Sequence, residues 1–449
     1  SLNLPLDAEN PPMAVTAQGT VSLDRLKSLS ILAPYVEQYP SPDGLEAALE
    51  TTLSVHPAAL TIKSVAVDLT RNGNPLVGLK GLQAFNIGFD DLAAIGYQSG
   101  ALASVELNDI DLSWANPYLG PMHVAGALSQ ARFQLESLPA GGFALLPEDS
   151  LDLRRLTVTK DQDTLLQNIF LSVSPTLGVN KEGLRVDYRG LVINSGRKKI
   201  LAGEGEVAIP RRDDEDEPQL FAISGRKNVN LNELSTLPFA SAVASYEFGK
   251  IVWRTETSYD IEFTSAQIVA RNFSATVFAG NQARVTAKSQ GTTRIRPSIG
   301  PSEALAQHVI GDFDITISGV NSQEINDLIP LGGFKFKSFD GELSLKSDGE
   351  ILNAEFNNPL HLHNASVHAD EKVLINPFDV YLSGDLRTSG ERLDAVVDEV
   401  KLNFASRPET AALAGAIKFR FQPNQGIPLQ ALDANLKGDL PVLLNQPIV

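Results

Sequence analysis

The chain has 449 residues, of which 43% are hydrophobic, and it carries a formal net charge of −17 at pH 7. An acidic surface repels phosphate groups, so nucleic acid and anionic membrane surfaces are excluded as electrostatic partners. Cysteine is absent, which excludes disulfides, thiolate metal sites and cysteine nucleophiles and fits an oxidising bacterial compartment.

The N-terminal stretch SLNLPLDAENPP has neither the basic region nor the apolar region of a signal peptide. The chain also contains no continuous apolar run of the length, about 20 residues, that a membrane-spanning helix needs. We therefore expect this chain to be soluble, with any membrane anchor absent from it.

Apolar and polar residues alternate with a period of two along the whole chain, which is typical of strands with one buried face. Val65, Val67 and Leu69 alternate up to Asn72-Gly73, a pair that favours a type I′ hairpin because both positions accept positive φ. Parallel pairing needs crossovers of a dozen or more residues, so short connections predict an all-β fold: an extended, twisted antiparallel meander with a few short helices. Further turn residues occur at 180–183, 194–196, 340–341, 348–349 and 389–390.

Four segments interrupt the alternation. Leucines at helical spacing predict a short helix near 24–38, and 301–308 is a second short candidate. Between Val105 and Trp114, two alternating runs meet at Asn108-Asp109 with a change of phase, which predicts one long strand with a β-bulge. Five consecutive acidic residues, 213–217, predict a solvated surface loop because like charges repel.

A repeated unit follows several strands. Residues 224–237 and 318–331 superpose without a gap: each reads Ser-Gly, five variable residues, Leu/Ile-Asn-acid-Leu and another leucine three places on. A tighter version covers 19–29, and a fragment begins near Asn435. Because glycine permits a sharp turn and Asn or Asp caps helices, we predict a short capped segment after each strand. The units divide the chain into three β-repeat regions, 1–210, 220–300 and 310–449, of which we expect the last to be truncated at its end.

The short alternating strands and the recurring units at Gly19–Leu29, Gly225–Leu237 and Gly319–Leu331 resemble the AsmA-like family of Gram-negative envelope proteins, which includes TamB. Residues 60–89 also resemble that family in their short alternating runs. The resemblance covers most of the chain without any diagnostic motif. It implies a periplasmic or cell-envelope location and a long sheet curled into a groove whose apolar inner face carries phospholipid acyl chains. Family members usually have an N-terminal membrane helix, which this sequence does not contain.

Alternating apolar positions supply the candidates for a groove lining. A single curled sheet leaves an apolar floor that a ligand must fill, whereas a sheet that closes on a second sheet buries the same side chains as ordinary core. The sequence leaves both interpretations open. Strands of about ten residues span roughly 33 Å, which is long enough to shield an acyl chain. The candidates are Phe85, Ile87, Phe89, Ile110, Leu112, Ile261, Phe263, Phe334, Phe336, Phe419 and Phe421.

The sequence contains no G-x-S-x-G elbow, no H-E-x-x-H motif and no P-loop, and we predict no catalytic residues, no enzymatic activity and no cofactor. His361 and His363 have the spacing of one strand face, with His368 and Asp370 beyond them, and such a set could hold zinc. An exposed strand with a few histidines is the more ordinary interpretation, so no metal is predicted.

The residues and the resemblance together predict a non-enzymatic bacterial envelope protein that binds or conducts lipid along an apolar β-groove in outer-membrane biogenesis. Phospholipid or another acyl lipid is the expected partner, and envelope proteins are further candidates. The alternative is a structural or adhesin-like surface β-repeat protein that has the same strands but no lipid cavity.

Overall fold

A computed structural model describes residues 13–22, 44–55, 59–88, 97–139, 141–161, 163–211, 221–238, 251–264, 267–295, 309–328, 330–369, 372–389, 392–405, 411–421, 429–439 and 441. These residues form 27 strands that pair antiparallel, with short helices between some of them. The predicted all-β antiparallel meander is therefore confirmed.

The chain divides into two compact units, the first covering 1–217 with 237–241 and the second covering 218–236 with 242–449. A single 3-10 helix, Leu112–Tyr118, lies among the described residues of unit 1. The strands of unit 1 are β1 Met13–Ser22, β2 Leu45–Val55, β3 Ala59–Arg71, β4 Asn74–Gly81, β5 Phe85–Gly88, β6 Ala101–Leu107, β7 Ile110–Asp111, β8 Met122–Leu128, β9 Ala131–Ser137, β10 Phe143–Pro147, β11 Leu151–Lys160, β12 Asp163–Asn180, β13 Gly183–Ser195 and β14 Lys198–Pro210.

Unit 2 contains the remaining strands and two short helices, α1 Leu231–Leu234 and α2 Ser322–Leu328. The predicted regions 220–300 and 310–449 both fall in this unit, because β18 and β19 pair with β20. Its strands are β15 Phe221–Asn230, β16 Trp253–Phe263, β17 Ile268–Ala279, β18 Gln282–Ser289, β19 Thr293–Ile295, β20 Val309–Val320, β21 Phe334–Lys335, β22 Ser338–Asp348, β23 Leu352–Ala369, β24 Lys372–Thr388, β25 Leu393–Phe404, β26 Leu413–Phe421 and β27 Leu429–Gly438.

Turn chemistry explains most of the hairpins. Asn72 and Gly73 both adopt positive φ, 50° and 78°, and close the β3–β4 hairpin as predicted. One predicted turn is wrong: Asp340-Gly341 lies inside β22, where Gly341 pairs with Ile317 of β20. Cross-strand pairing on both sides of β22 outweighs the turn preference of the Asp-Gly pair.

The predicted long bulged strand between Val105 and Trp114 is also wrong. β6 ends at Leu107, and the chain resumes pairing only at Ile110–Asp111 before it enters the 3-10 helix. The two pieces have different partners, since β6 pairs with β4 and β9 while β7 pairs with β8. Asp111 accepts a hydrogen bond from the Ser113 N–H at 2.9 Å, which caps the helix and ends the strand.

The repeated unit forms a strand followed by a capped helix at both described sites. Asn230 accepts a hydrogen bond from the Glu233 N–H at 3.3 Å and caps α1. Asn321 caps α2 by accepting from the Glu324 N–H at 3.0 Å, and Glu324 accepts from the Asn321 N–H in return, which is a reciprocal capping arrangement. Gly225 does not make the predicted turn, because it lies inside β15 opposite Tyr259.

Several predictions concern residues outside the described part of the chain. They include the helices near 24–38 and 301–308, the acidic loop 213–217 and most of the unit that begins at Gly19. Near Asn435 the chain is strand β27, and most of the residues after it, which would complete the predicted fragment, lie outside the described part.

The described core is thin. Leu102 and Thr293 are the largest side chains that are completely enclosed among the described residues. Several large apolar side chains on the strands are exposed, among them Leu429, Leu432 and Leu436 of β27 at 46%, 62% and 40%. Part of the apolar sheet surface therefore stays in contact with solvent.

Candidate functional site

One continuous apolar row crosses seven strands of unit 2. Residues that face each other directly in an antiparallel pair project from the same side of the sheet, so the strand register identifies the row. It starts at Phe313 on β20 and ends at Leu432 on β27. The unit-2 row consists of Phe313, Leu345, Ala354, Leu386, Ala395, Phe419 and Leu432.

The neighbouring positions on the same strands point to the opposite face and are mostly charged. Asp394 of β25 faces Arg387 of β24 and Arg420 of β26, and Lys418 faces Asp433 of β27. This strict alternation separates the two faces chemically. Unit 2 thus has an apolar face over β20–β27 and a charged face behind it.

The described chain encloses the apolar face only in part, since Ala395 is 1% exposed and its neighbours in the row are not fully buried. Phe313, Leu345, Leu386 and Phe419 are each half-buried, whereas side chains sandwiched between two sheets are fully enclosed. Leu432 on β27 is 62% exposed. These side chains remain available to an apolar ligand.

Unit 1 contains a similar row across six strands. It joins the short strand β7 to β14 through directly paired leucine and isoleucine residues, all of them half-buried. The unit-1 row consists of Ile110, Leu128, Leu153, Leu171, Ile193 and Leu201.

Unit 2 contains a hollow of about 690 Å³, whose charged lining residues include Lys346, Arg387, Lys418 and Arg420. Asp394 lies in it, and hydrogen bonds from Arg420 and then Arg392 lower the pKa of the Asp394 carboxyl below its usual value. Four members of the unit-2 row, Ala354, Ala395, Phe419 and Leu432, line the same hollow. Because charged and apolar residues line it together, the apolar groove that the family resemblance implies stays a prediction.

The structure places the predicted lining residues of unit 2 in separate pairs. Phe419 belongs to the unit-2 row, and Phe421 lies beside it opposite Leu393. Ile261 and Phe263 project from β16, where the Phe263 ring stacks on Phe221 at 4.4 Å. Their position on one side of paired strands agrees with the alternation in the sequence.

Phe334 and Phe336 lie elsewhere in unit 2. They pack against a small buried cluster that contains Phe378 and Phe404, so the chain itself covers part of their surface. They behave as peripheral core residues.

In unit 1 the predicted residues separate. Phe85 is 6% exposed and packs with Leu102, and Ile87 covers the same cluster, so Phe85 is a core residue. Ile110 belongs to the unit-1 row, whereas Leu112 starts the 3-10 helix and has left the sheet. Phe89 lies outside the described residues.

Sequence reasoning missed most of the unit-2 row. Leu345, Leu386 and Ala395 sit in alternating runs, such as Leu343-x-Leu345 and Leu393-x-Ala395, but aromatic residues were favoured as lining. Period-two alternation was the available signal. Which runs share a face depends on cross-strand register, which the sequence does not display.

Among the described residues, no helix is both long and apolar enough to cross a membrane. Comparison with known proteins found no matching family model, no curated relative and no solved structure.

Proposed function

We propose that this chain is a non-enzymatic, lipid-binding protein of the bacterial envelope, in which apolar sheet faces hold acyl chains of phospholipid or a similar lipid. The observation that carries the proposal is the unit-2 row, which is seven strands wide and apolar at every position. Five of its members are half-buried and Leu432 is exposed, whereas Ala395 is buried. The resemblance to the AsmA-like family and the complete absence of cysteine support a periplasmic location.

The dimensions of the row suit an extended acyl chain. Its seven strands leave six intervals, and at the usual spacing of about 4.8 Å between strands the row is about 29 Å long. An acyl chain that lies across the strands contacts one row member after another. The head group stays in water at the rim, where its charge remains solvated.

The expected affinity follows from the open geometry. A fully buried methylene gains about 0.8 kcal/mol, and an open face removes only about half of each methylene from water. A chain of about sixteen methylenes then gains about 6 kcal/mol, which corresponds to a Kd of tens of micromolar. Such binding is reversible, as a protein that passes lipid between membranes requires.

The test is transfer of a fluorescent phospholipid between zwitterionic donor and acceptor vesicles. We expect the protein to accelerate transfer in proportion to its concentration. A structural or adhesin-like β-protein without a lipid site leaves the transfer rate at its value without protein, and that result would reject the proposed function.

A further inference from the structure

A compact group of potential metal ligands lies on the polar face of β23 and β24 in unit 2. His361, His363 and Asp379 each offer one ligand atom within 4.8 Å of the other two. His361 and His363 alternate along β23 and therefore share a face. Tyr381 lies opposite His361 on β24, so Asp379, two residues earlier, faces the same side.

An irregularity in the pairing of β23 with β24 places the Asp379 carboxylate beside His363. The β23–β24 pairing shifts between Leu362 and Ala365, where Asn364 adopts a φ of 51°. The Asn364 N–H donates to Asp379 Oδ1 at 2.6 Å, and His363 Nδ1 lies 2.8 Å from the same oxygen. These contacts fix Asp379 beside His363 and direct both bonds to Oδ1, which leaves Oδ2 for another partner.

His361 supplies the observation that points to a ligand. Its ring stacks on Tyr381 at 4.1 Å and lies 5.5 Å from the ring of His363. Its Nε2 is enclosed and has no hydrogen-bond partner within the described part of the chain. A buried nitrogen without a partner is unfavourable, and a bound cation would satisfy it.

The surroundings favour positive charge. Asp340 of β22 lies directly opposite His361 on the same face, which adds a second carboxylate to the neighbourhood. Lys401 lies across from Tyr381, but its ammonium group is paired with Glu399 at 2.6 Å. The exposed fractions of the His363 and Asp379 side chains, 39% and 26%, leave a path for an ion from solvent.

We propose that His361, His363 and Asp379 form a binding site for a zinc ion. Two imidazoles and one carboxylate are a donor set that zinc prefers, with the remaining tetrahedral position open to water or an anionic ligand. Zinc to ligand bonds of about 2.0–2.2 Å require small side-chain rotations that bring the three donors closer. The proposal is independent of lipid binding, because this face is opposite to the apolar side chains of β24.

His368 provides a matched control on the same strand. Its Nε2 lies 2.9 Å from the Ser366 hydroxyl, and it is outside the three-residue group. Replacement of His368 by Gln removes one imidazole from β23 without touching the proposed ligands.

The experiment is a competition titration of the full chain with Zn²⁺ and a chromophoric chelator, for the wild type and for His361→Gln, His363→Gln, Asp379→Asn and His368→Gln. We expect one saturable equivalent in the wild type. Each ligand variant should bind more than about tenfold more weakly, since even outer-shell losses cost 10–100-fold. His368→Gln should stay within about twofold.

Two further readouts guard against misfolded variants. Zn²⁺ should raise the Tm of the wild type and of His368→Gln but not of His363→Gln, whose Tm without metal serves as the folding check. Co²⁺ should give the absorption spectrum of tetrahedral nitrogen and oxygen coordination. Absence of saturable binding, equal weakening in His368→Gln, or an octahedral Co²⁺ spectrum would overturn the proposal.

Discussion

Replacement of Phe419 by Gln tests whether the apolar face binds acyl chains. Phe419 is central to the β25–β27 part of the unit-2 row, paired with Ala395 on one side and Leu432 on the other. Lys418 precedes it on β26 but projects from the charged face. Lys418→Gln is therefore a matched control, with the same new residue one position away on the opposite side of the sheet.

The size of the effect follows from the exposure of the ring. Full burial of a Phe side chain gains about 1.5–3 kcal/mol. Because at most about a third of Phe419 is exposed in the free protein, an acyl chain removes only about a third of that area from water. Phe419→Gln should therefore cost about 0.5–1 kcal/mol of binding free energy, which is about two- to fivefold in Kd.

The assay is a fluorescence titration with a labelled long-chain fatty acid, accompanied by circular dichroism to check folding. Phe419→Gln should shift the titration to higher concentration by the stated factor, and Lys418→Gln should leave it within about twofold. Equal Kd values for Phe419→Gln and wild type, or equal weakening by both substitutions, would refute the assignment of the lipid to this face.

Three further predictions concern the stability of unit 2, measured by urea denaturation. Glu324→Gln should cost about 3 kcal/mol, because Arg284 and Glu324 form an ion pair at 2.6 Å with side chains only 12% and 6% exposed; a loss below about 1 kcal/mol would contradict this. Gly384→Ala should cost about 1–3 kcal/mol, since φ is 147° and an added Cβ would lie 2.0 Å from the Val396 carbonyl oxygen. An unchanged urea midpoint would contradict this, because it would mean that the β24–β25 backbone shifts without cost to admit the methyl group. Asp394→Asn should lower the free energy of unfolding by less than about 1 kcal/mol at neutral pH. Because the folded state lowers the pKa of Asp394, the difference from wild type should disappear as the pH falls below 3.8 and through that lowered pKa. A difference that grows in acid would contradict a lowered pKa in the folded state.

The strands were predictable because alternation is a local property. Ile417, Phe419 and Phe421 alternate with Lys418 and Arg420 in the sequence, and the structure places the two sets on opposite faces of β26. The Asn72-Gly73 hairpin was predictable for the same reason, since two neighbouring residues fix its backbone conformation.

Errors arose where distant partners decide the structure. Gly341 resembles a turn residue but pairs with Ile317 in the middle of a sheet, and the sequence near Asp340 does not reveal that partner. Leu112 fits an alternating pattern, yet the Asp111 cap starts a 3-10 helix there.

The histidine group has one feature that the local sequence predicts and one that a distant strand decides. The spacing of His361 and His363 correctly predicted a shared face, but the sequence suggested His368 and Asp370 as further ligands. The structure brings Asp379 to His363 through the shifted β23–β24 register, which no local pattern encodes. Asp370 lies outside the described residues.

Site-specific photocrosslinking tests the central claim most directly. A photoreactive phenylalanine analogue placed at 419, or at 418 as the control, is illuminated in the presence of phospholipid vesicles, and lipid adducts are detected by mass spectrometry. The account predicts a lipid adduct from position 419 and little or none from 418. Equal adducts from the two positions, or no adduct from 419, would contradict it.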